Sequence, residues 1–299
     1  MILSVFSASF VVKEINKMCE DGTISPTSTV AIIYRTNAQS RALEEACVAN
    51  NLQYLVRGSV GTFYSRAEIK DSLCFLKWIY NGRDQSAMTR AFKTPSRGLG
   101  DVSVREFMSY CSEVENQLQN KDYSITTTPL DILISLTNSN SPFIPPDGII
   151  SKRTMNKLLP FATQMKKIKE KAKSQTVSEL LGTIIETLDL KSHFDSISKT
   201  SEEFADRWAN VNELRGASER YSNDGPCLTQ KKVSVDEETE MVEMSPLGSF
   251  LDDVSLLSDV EGTSEEENDG ERRLVANLMT IHASKVSLRK NVLMFKYLI

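Results

Sequence analysis

The sequence is short of the groups from which many catalytic centres are built. Its 299 residues include two histidines, His193 and His282, so a histidine-ligated metal centre is not expected. The five cysteines, at 19, 47, 74, 111 and 227, form no C-x-x-C pair. That scatter excludes a zinc ribbon or a disulfide framework and suits a reducing compartment. No run of about 18 apolar residues occurs, so neither a transmembrane helix nor a membrane partner is expected. The apolar opening, residues 1 to 12, lacks a basic leader and a clear cleavage site and is not read as a signal peptide. No G-x-x-x-x-G-K-[ST] loop is present, and no Asp-Glu pair follows a strand. The chain alone therefore lacks a phosphate cradle and the acidic pair that would hold a magnesium ion beside it.

Basic charge is missing from one long stretch. Residues 233 to 270 carry thirteen acids and no Lys or Arg. The net charge of −5, less the −13 of this stretch, leaves +8 for the remainder. A basic body suits a polyanionic partner, whereas the acidic segment reads as a solvated loop, disordered over 260 to 270. Apolar residues make up 40% and charged residues 25%, enough for an ordinary core, and the length suits two domains.

What is present centres on residues 29 to 41. Val30 to Tyr34 is a short apolar run with β-branched residues, which predicts a buried strand of a parallel sheet. The chain then turns polar, and Ala42 to Cys47 has helical spacing. Strand, turn and helix make one unit of an open α/β sheet, whose ligands sit at the carboxyl ends of the strands. Tyr34 and Arg35 occupy that end. A ring can stack on a base and a guanidinium can grip a phosphate; a plain strand end with a solvated Arg is the alternative.

These residues carry a resemblance. Tyr34-Arg35-Thr36-Asn37-Ala38-Gln39-Ser40-Arg41 resembles the motif opening the second RecA-like motor domain of UvrD/Rep/PcrA-type DNA helicases, including eukaryotic UvrD-like members. Phe63 to Asp71 resembles that family's F-x-x-R-x-E-I-K-D segment, Pro95 to Gly100 its P-x-R-G-I-G turn, and Leu278 to Lys285 the start of its L-M-T-I-H-A-S-K-G-L-E-F motif. The four matches fall in the family's order. The resemblance implies an α/β fold: a partial RecA-like parallel sheet of the P-loop NTPase type, without the P-loop, interrupted by a mostly α-helical inserted subdomain. On that reading residues 1–84 open the motor domain, 85–258 form the helical insert, 259–272 an acidic linker, and 273–285 a strand returning beside the Val30 strand. After Lys285 the pattern breaks. Lys-Val-Ser can be encoded by a favourable splice-donor sequence, so 286–299 is read as an aberrant tail from intron read-through in a eukaryotic gene, and the protein is placed in the nucleus.

The resemblance also implies roles. Tyr34 and Arg35 would meet the nucleotide, Arg35 as the catalytic charge-stabilising group. Thr280 and His282 would touch single-stranded DNA, with Arg66 and Lys70 as further candidates. Arg97, Gly98 and Gly100 form a turn before a helix, where backbone N–H groups can meet a duplex phosphate; a plain tight turn is the alternative. Lys166, Lys167 and Lys169 belong to a run of basic residues from Lys152 to Lys173 and read either as a solvated helix face or as non-specific phosphate contacts. Glu68 and Asp71 read as helix-start charge pairing, and Arg207, Asn210 and Glu213 as packing residues. ATP and magnesium would act in the complete family enzyme, with none bound productively by this chain alone. The partners expected are single-stranded DNA, a duplex junction and a missing first motor domain. Three functions stay open: part of an ATP-dependent 3′-to-5′ helicase in repair or recombination, a non-catalytic DNA-binding or interaction module, and a truncated product without function.

Overall fold

In a computed structural model, residues 2–57, 62–119, 127–138, 140–146, 148–230, 232–236, 239–242, 244–259, 274–280 and 294–295 are described. In chain order the elements are α1 (Ile2–Glu20), β1 (Thr29–Tyr34), α2 (Ser40–Ala49), β2 (Gln53–Arg57), α3 (Ala67–Tyr80), α4 (Gln85–Lys93), α5 (Asp101–Gln119), α6 (Pro129–Ser135), α7 (Lys152–Lys171), α8 (Val177–Thr187), α9 (Leu190–Ile197), α10 (Ser201–Ser218), β3 (Lys232–Asp236), β4 (Thr239–Val242), α11 (Pro246–Asp259), β5 (Val275–Thr280) and β6 (Met294–Phe295). The chain is α/β: a partial RecA-like parallel sheet interrupted by a mostly helical insert. No helix among the described residues is long and apolar enough to cross a membrane.

The chain forms two compact units. The first contains residues 1–70, 202–216 and 252–299; the second contains 71–201 and 217–251. The sequence places its changeovers at 84 and 258. The units change over at 71 and 252, and residues 202 to 216, inside the expected insert, belong to the first unit, where Glu213 meets Arg41 and Asn210 meets Glu68.

In the first unit the sheet order is β2-β5-β1-β6, all parallel. The segment expected to return beside the Val30 strand does so, running as β5 between β1 and β2 with Thr29 opposite Val275 and Tyr34 opposite Thr280. Alternation along β1 sends Val30, Ile32 and Tyr34 to one face, where they meet Val11, Val12 and Ile15 of α1 and Leu43 and Cys47 of α2. Apolar burial of this kind contributes about 1.5–3 kcal/mol for each large side chain. Gly22, at φ +72°, stops α1, and the bonds from Gly22 N–H to Cys19 and Ile24 N–H to Met18 (3.2 and 3.0 Å) close its end. Such a left-handed cap suits glycine, which has no Cβ to clash. From the segment read as an aberrant tail, Met294 and Phe295 pair with Ala31 and Ile32. The acidic 260 to 270 lies outside the described residues.

The second unit is built on aromatic packing. Trp78, Phe92, Phe107 and Phe161 are almost wholly buried. Ring centroids lie 6.0 Å apart for Trp78 and Phe92, 5.3 Å for Phe92 and Phe107, and 5.6 Å for Phe92 and Phe161. Caps set the helix starts: Asp84, Thr128, Ser151 and Thr176 each accept from a backbone N–H three residues on, which supplies orphan donors with partners. The insert is not wholly helical. β3 and β4 pair as a short antiparallel hairpin, in a segment where sequence alone indicated no clear strand.

Candidate functional site

The sheet sets the site's frame. Arg57 stands opposite Met279, and Tyr34 opposite Thr280. The carboxyl ends of β2, β5 and β1 therefore lie side by side, each about 4.8 Å from the next. Arg35 leaves β1 at this edge and is exposed. Its amide and that of Thr36 donate to Gln39 Oε1 at 2.9 and 3.0 Å. The backbone under Arg35 is thus fixed while the side chain stays in water. Thr280 is half-buried at the same edge. His282 lies outside the described residues.

Tyr34 and Arg66 turn inward. Tyr34 is 6% exposed and packs in the core. Burial pushes its hydroxyl up to about 12; the Arg66 charge pulls it down, Glu44 pushes it up and Ser40 pulls it down. Arg66 is 7% exposed. Its Nη1 donates to the Asn37 carbonyl at 2.9 Å and to Asn210 Oδ1 at 2.8 Å, and its Nη2 donates to Ser40 Oγ at 3.0 Å. The structure corrects the reading of Arg66 as a DNA contact: its donors are taken up inside the unit, holding the turn that follows Arg35. Lys70, by contrast, is exposed.

Sequence reasoning missed how far α10 reaches into this turn. Arg41 is 1% exposed yet charged. Its Nη1 donates to Glu45 and its Nη2 to Glu213, both at 2.6 Å. Burial works against its charge, but the two carboxylates hold the proton on and the net shift is upward. Asn210 Nδ2 donates to Glu68 Oε1 at 2.6 Å, and Arg207 lies 3.5 Å from the same carboxylate. Glu68 therefore pairs across elements, and so does Asp71, which accepts from Arg90 Nε at 2.7 Å. Both differ from the local helix-start pairing read from sequence. The three-residue spacing of Arg207, Asn210 and Glu213 was the available signal, since it sets polar groups along one side of a helix. Glu44, buried, accepts the Phe63 N–H; burial pushes its carboxyl up, against the pull of Phe63, Ser40 and Arg66.

The second unit carries the other candidates. Lys166 and Lys167 are exposed on α7. Lys169 is half-buried and paired with Asp131 at 2.5 Å, so part of its charge is already met. Gly98 is at φ +71° and Gly100 is exposed just before α5. Lys157 Nζ donates to the Gly98 carbonyl at 2.9 Å. Arg97 lies 4.3 Å over the Phe161 ring and donates to the Ala91 and Thr94 carbonyls at 2.6 and 3.1 Å. The structure thus holds the turn from within, presenting its glycines rather than Arg97.

The donor set limits the chemistry. Burial raises the thiols of Cys47 and Cys111 to about 12 and that of Cys227 to about 11, so none of these is an active nucleophile at neutral pH. No group of three or more metal-ligating side chains occurs among the described residues. With no P-loop in the sequence, the chain's own residues do not fit a complete Mg-nucleotide site. What they offer, among the described residues, is solvent-facing guanidinium groups at the sheet edge, Arg35 and Arg57, and an exposed basic helix face.

The family model for the UvrD-like helicase C-terminal domain matches residues 7–286. An ATP-dependent DNA helicase PcrA of Staphylococcus epidermidis is 28% identical over 278 residues, 93% of this chain and 32% of the relative. The protein of that name from Staphylococcus aureus is 29% identical over 279 residues, again 93% of this chain and 32% of the relative. The chain spans about a third of the length of these relatives. They come from bacteria, which have no nucleus, and this overturns the nuclear placement read from the sequence. The match runs through the Tyr34–Arg41 motif, the helical insert and the returning β5 strand, and on that evidence the chain belongs to the UvrD-like helicase C-terminal domain family.

Proposed function

We propose that this chain serves as the second motor-domain segment of an ATP-dependent DNA helicase that moves 3′ to 5′ along single-stranded DNA in repair or recombination. A separate first motor domain, bearing the P-loop and the acidic pair, supplies ATP and magnesium. The observation that carries the reading is Arg35: exposed, at the carboxyl end of a parallel strand, on a backbone fixed by Gln39. A planar fork of donors there suits charge spreading over phosphoryl oxygens during transfer. Tyr34, expected from the sequence to stack on the base, is buried in the core cluster beneath this edge and is given no base contact in this reading. Thr280 and Lys70 in the first unit, and Lys166, Lys167 and the Gly98–Gly100 turn in the second, contact DNA phosphates.

The test joins this chain to a P-loop motor domain and to the motifs that follow Lys285 in the same family, and follows DNA-stimulated ATP hydrolysis. Hydrolysis is expected from the joined protein and not from the chain alone. An unjoined chain that hydrolyses ATP in magnesium would contradict the reading. A second reading, a DNA-binding module without catalysis, is favoured by the exposed lysines of α7. It is distinguished by salt-dependent DNA binding with no gain of ATPase on joining.

A further inference from the structure

We propose that Arg57 is a phosphate-contacting residue for single-stranded DNA, held ready at the carboxyl edge of the sheet by Asn277. The inference rests on the DNA-motor reading and adds to it a residue outside the motifs that suggested it. Arg57 is the last residue of β2 and is exposed. The order β2-β5-β1 puts it on one side of the end of β5, with Arg35 beyond the other side. Its Nε donates to Asn277 Oδ1 at 3.0 Å, and Leu55 stands opposite Asn277 while Arg57 stands opposite Met279. Strand alternation places Arg57, Asn277 and Met279 on one face of the sheet. The guanidinium is therefore tethered over β5, one position short of Thr280. Its two terminal nitrogens have no hydrogen bond among the described residues, and those are the pair that forks a phosphate.

Geometry favours an extended ligand. The ends of β2 and β1 are separated by a full strand, about 10 Å. Arg57 and the hydroxyl-bearing end of β5 beside it give a polyanion two adjoining contacts, while Arg35, a full strand away, is left to the nucleotide. The Asn277 tether also lowers the side-chain entropy lost on contact, because one of the three nitrogens is fixed in advance.

The experiment measures binding of fluorescein-labelled oligo(dT) to the full chain across a salt series. Arg57→Gln is expected to weaken binding several-fold and to reduce the slope of log affinity against log salt by about 0.7, the loss of one phosphate contact on a single strand. Asn277→Ala is expected to weaken binding with the slope kept, since charge is retained and only orientation is lost. Thermal unfolding controls for folding, because Arg57 is a surface residue. An unchanged affinity and slope in Arg57→Gln, with Lys166→Gln/Lys167→Gln still weakening binding, would overturn Arg57 and leave the DNA reading standing. No salt-dependent binding by the wild-type chain would overturn both. If Arg57→Gln weakens only a fluorescent ATP analogue, the fork serves nucleotide phosphates and the proposal fails.

Discussion

Arg35 and Arg66 are both arginines beside one turn, and their surroundings give them opposite tasks. Arg35 is exposed and Arg66 buried, so the same fork of donors faces water in one case and ties Asn37, Ser40 and Asn210 together in the other. Sequence could not separate them, because both stand in motif-like strings and only burial distinguishes a ligand contact from a brace. Arg66→Ala should leave Asn210 and the Asn37 carbonyl short of partners and cost about 2–4 kcal/mol, read as a shift in the urea midpoint. A loss below about 0.5 kcal/mol, the range of ordinary surface changes, would contradict the brace. Glu44 gives a pH signature. Its folded carboxyl is raised by burial, so its contribution to stability is present below the ordinary glutamate value of about 4.3 and is lost as pH rises through the folded value. Wild-type stability should therefore fall over that window relative to Glu44→Gln, which keeps an acceptor but cannot ionise. Parallel urea-midpoint profiles for the two proteins would show that Glu44 does not carry the effect.

At the scale of elements, the sheet was legible and the role of α10 was not. The apolar, β-branched run of β1 announces itself because it is buried in the core, and β5 was placed beside it by the family resemblance. Nothing local announces that Glu213 will meet Arg41, a partner 172 residues away. The polar side of α10 reads from sequence as ordinary packing and solvated charge; in the fold it closes over a buried arginine. The β3–β4 hairpin was missed although Lys232–Asp236 alternates polar and apolar residues, because strands of five and four residues are too short to stand out in a segment that is helical on both sides. Of the site, the strand-end position of Arg35 was readable, while the inward turn of Tyr34 and Arg66 and the place of Arg57 were not. The account predicts that Glu213→Ala costs about 2–3 kcal/mol, with Glu45 retaining part of the pairing. The double change Arg41→Met/Glu213→Leu should cost less than the single one, because the buried guanidinium goes together with its Glu213 partner, and Glu45, left without Arg41, keeps the Tyr64 hydroxyl. Chemical denaturation of the wild type and the two variants decides it; a double mutant less stable than Glu213→Ala would show that the network does more than satisfy a buried charge.

For the whole molecule, charge is arranged by segment. The body outside 233 to 270 is basic, at +8 against the net −5, and the exposed lysines of α7 are part of it. DNA affinity should therefore fall steeply with salt, and Lys166→Gln/Lys167→Gln should weaken binding on all sequences alike while flattening the salt dependence. An affinity indifferent to salt would remove the phosphate-contact mode. The central claim, that Arg35 acts on a nucleotide supplied by another domain, meets its most direct test in steady-state ATP hydrolysis by this chain joined to a P-loop motor domain and to the family's motifs after Lys285, with and without Arg35→Ala. The account predicts hydrolysis in the joined wild type and a fall of about 10³-fold or more in the variant, the usual contribution of an arginine supplied across a domain cleft, with DNA affinity in the absence of nucleotide unchanged. Wild-type turnover in Arg35→Ala would contradict it.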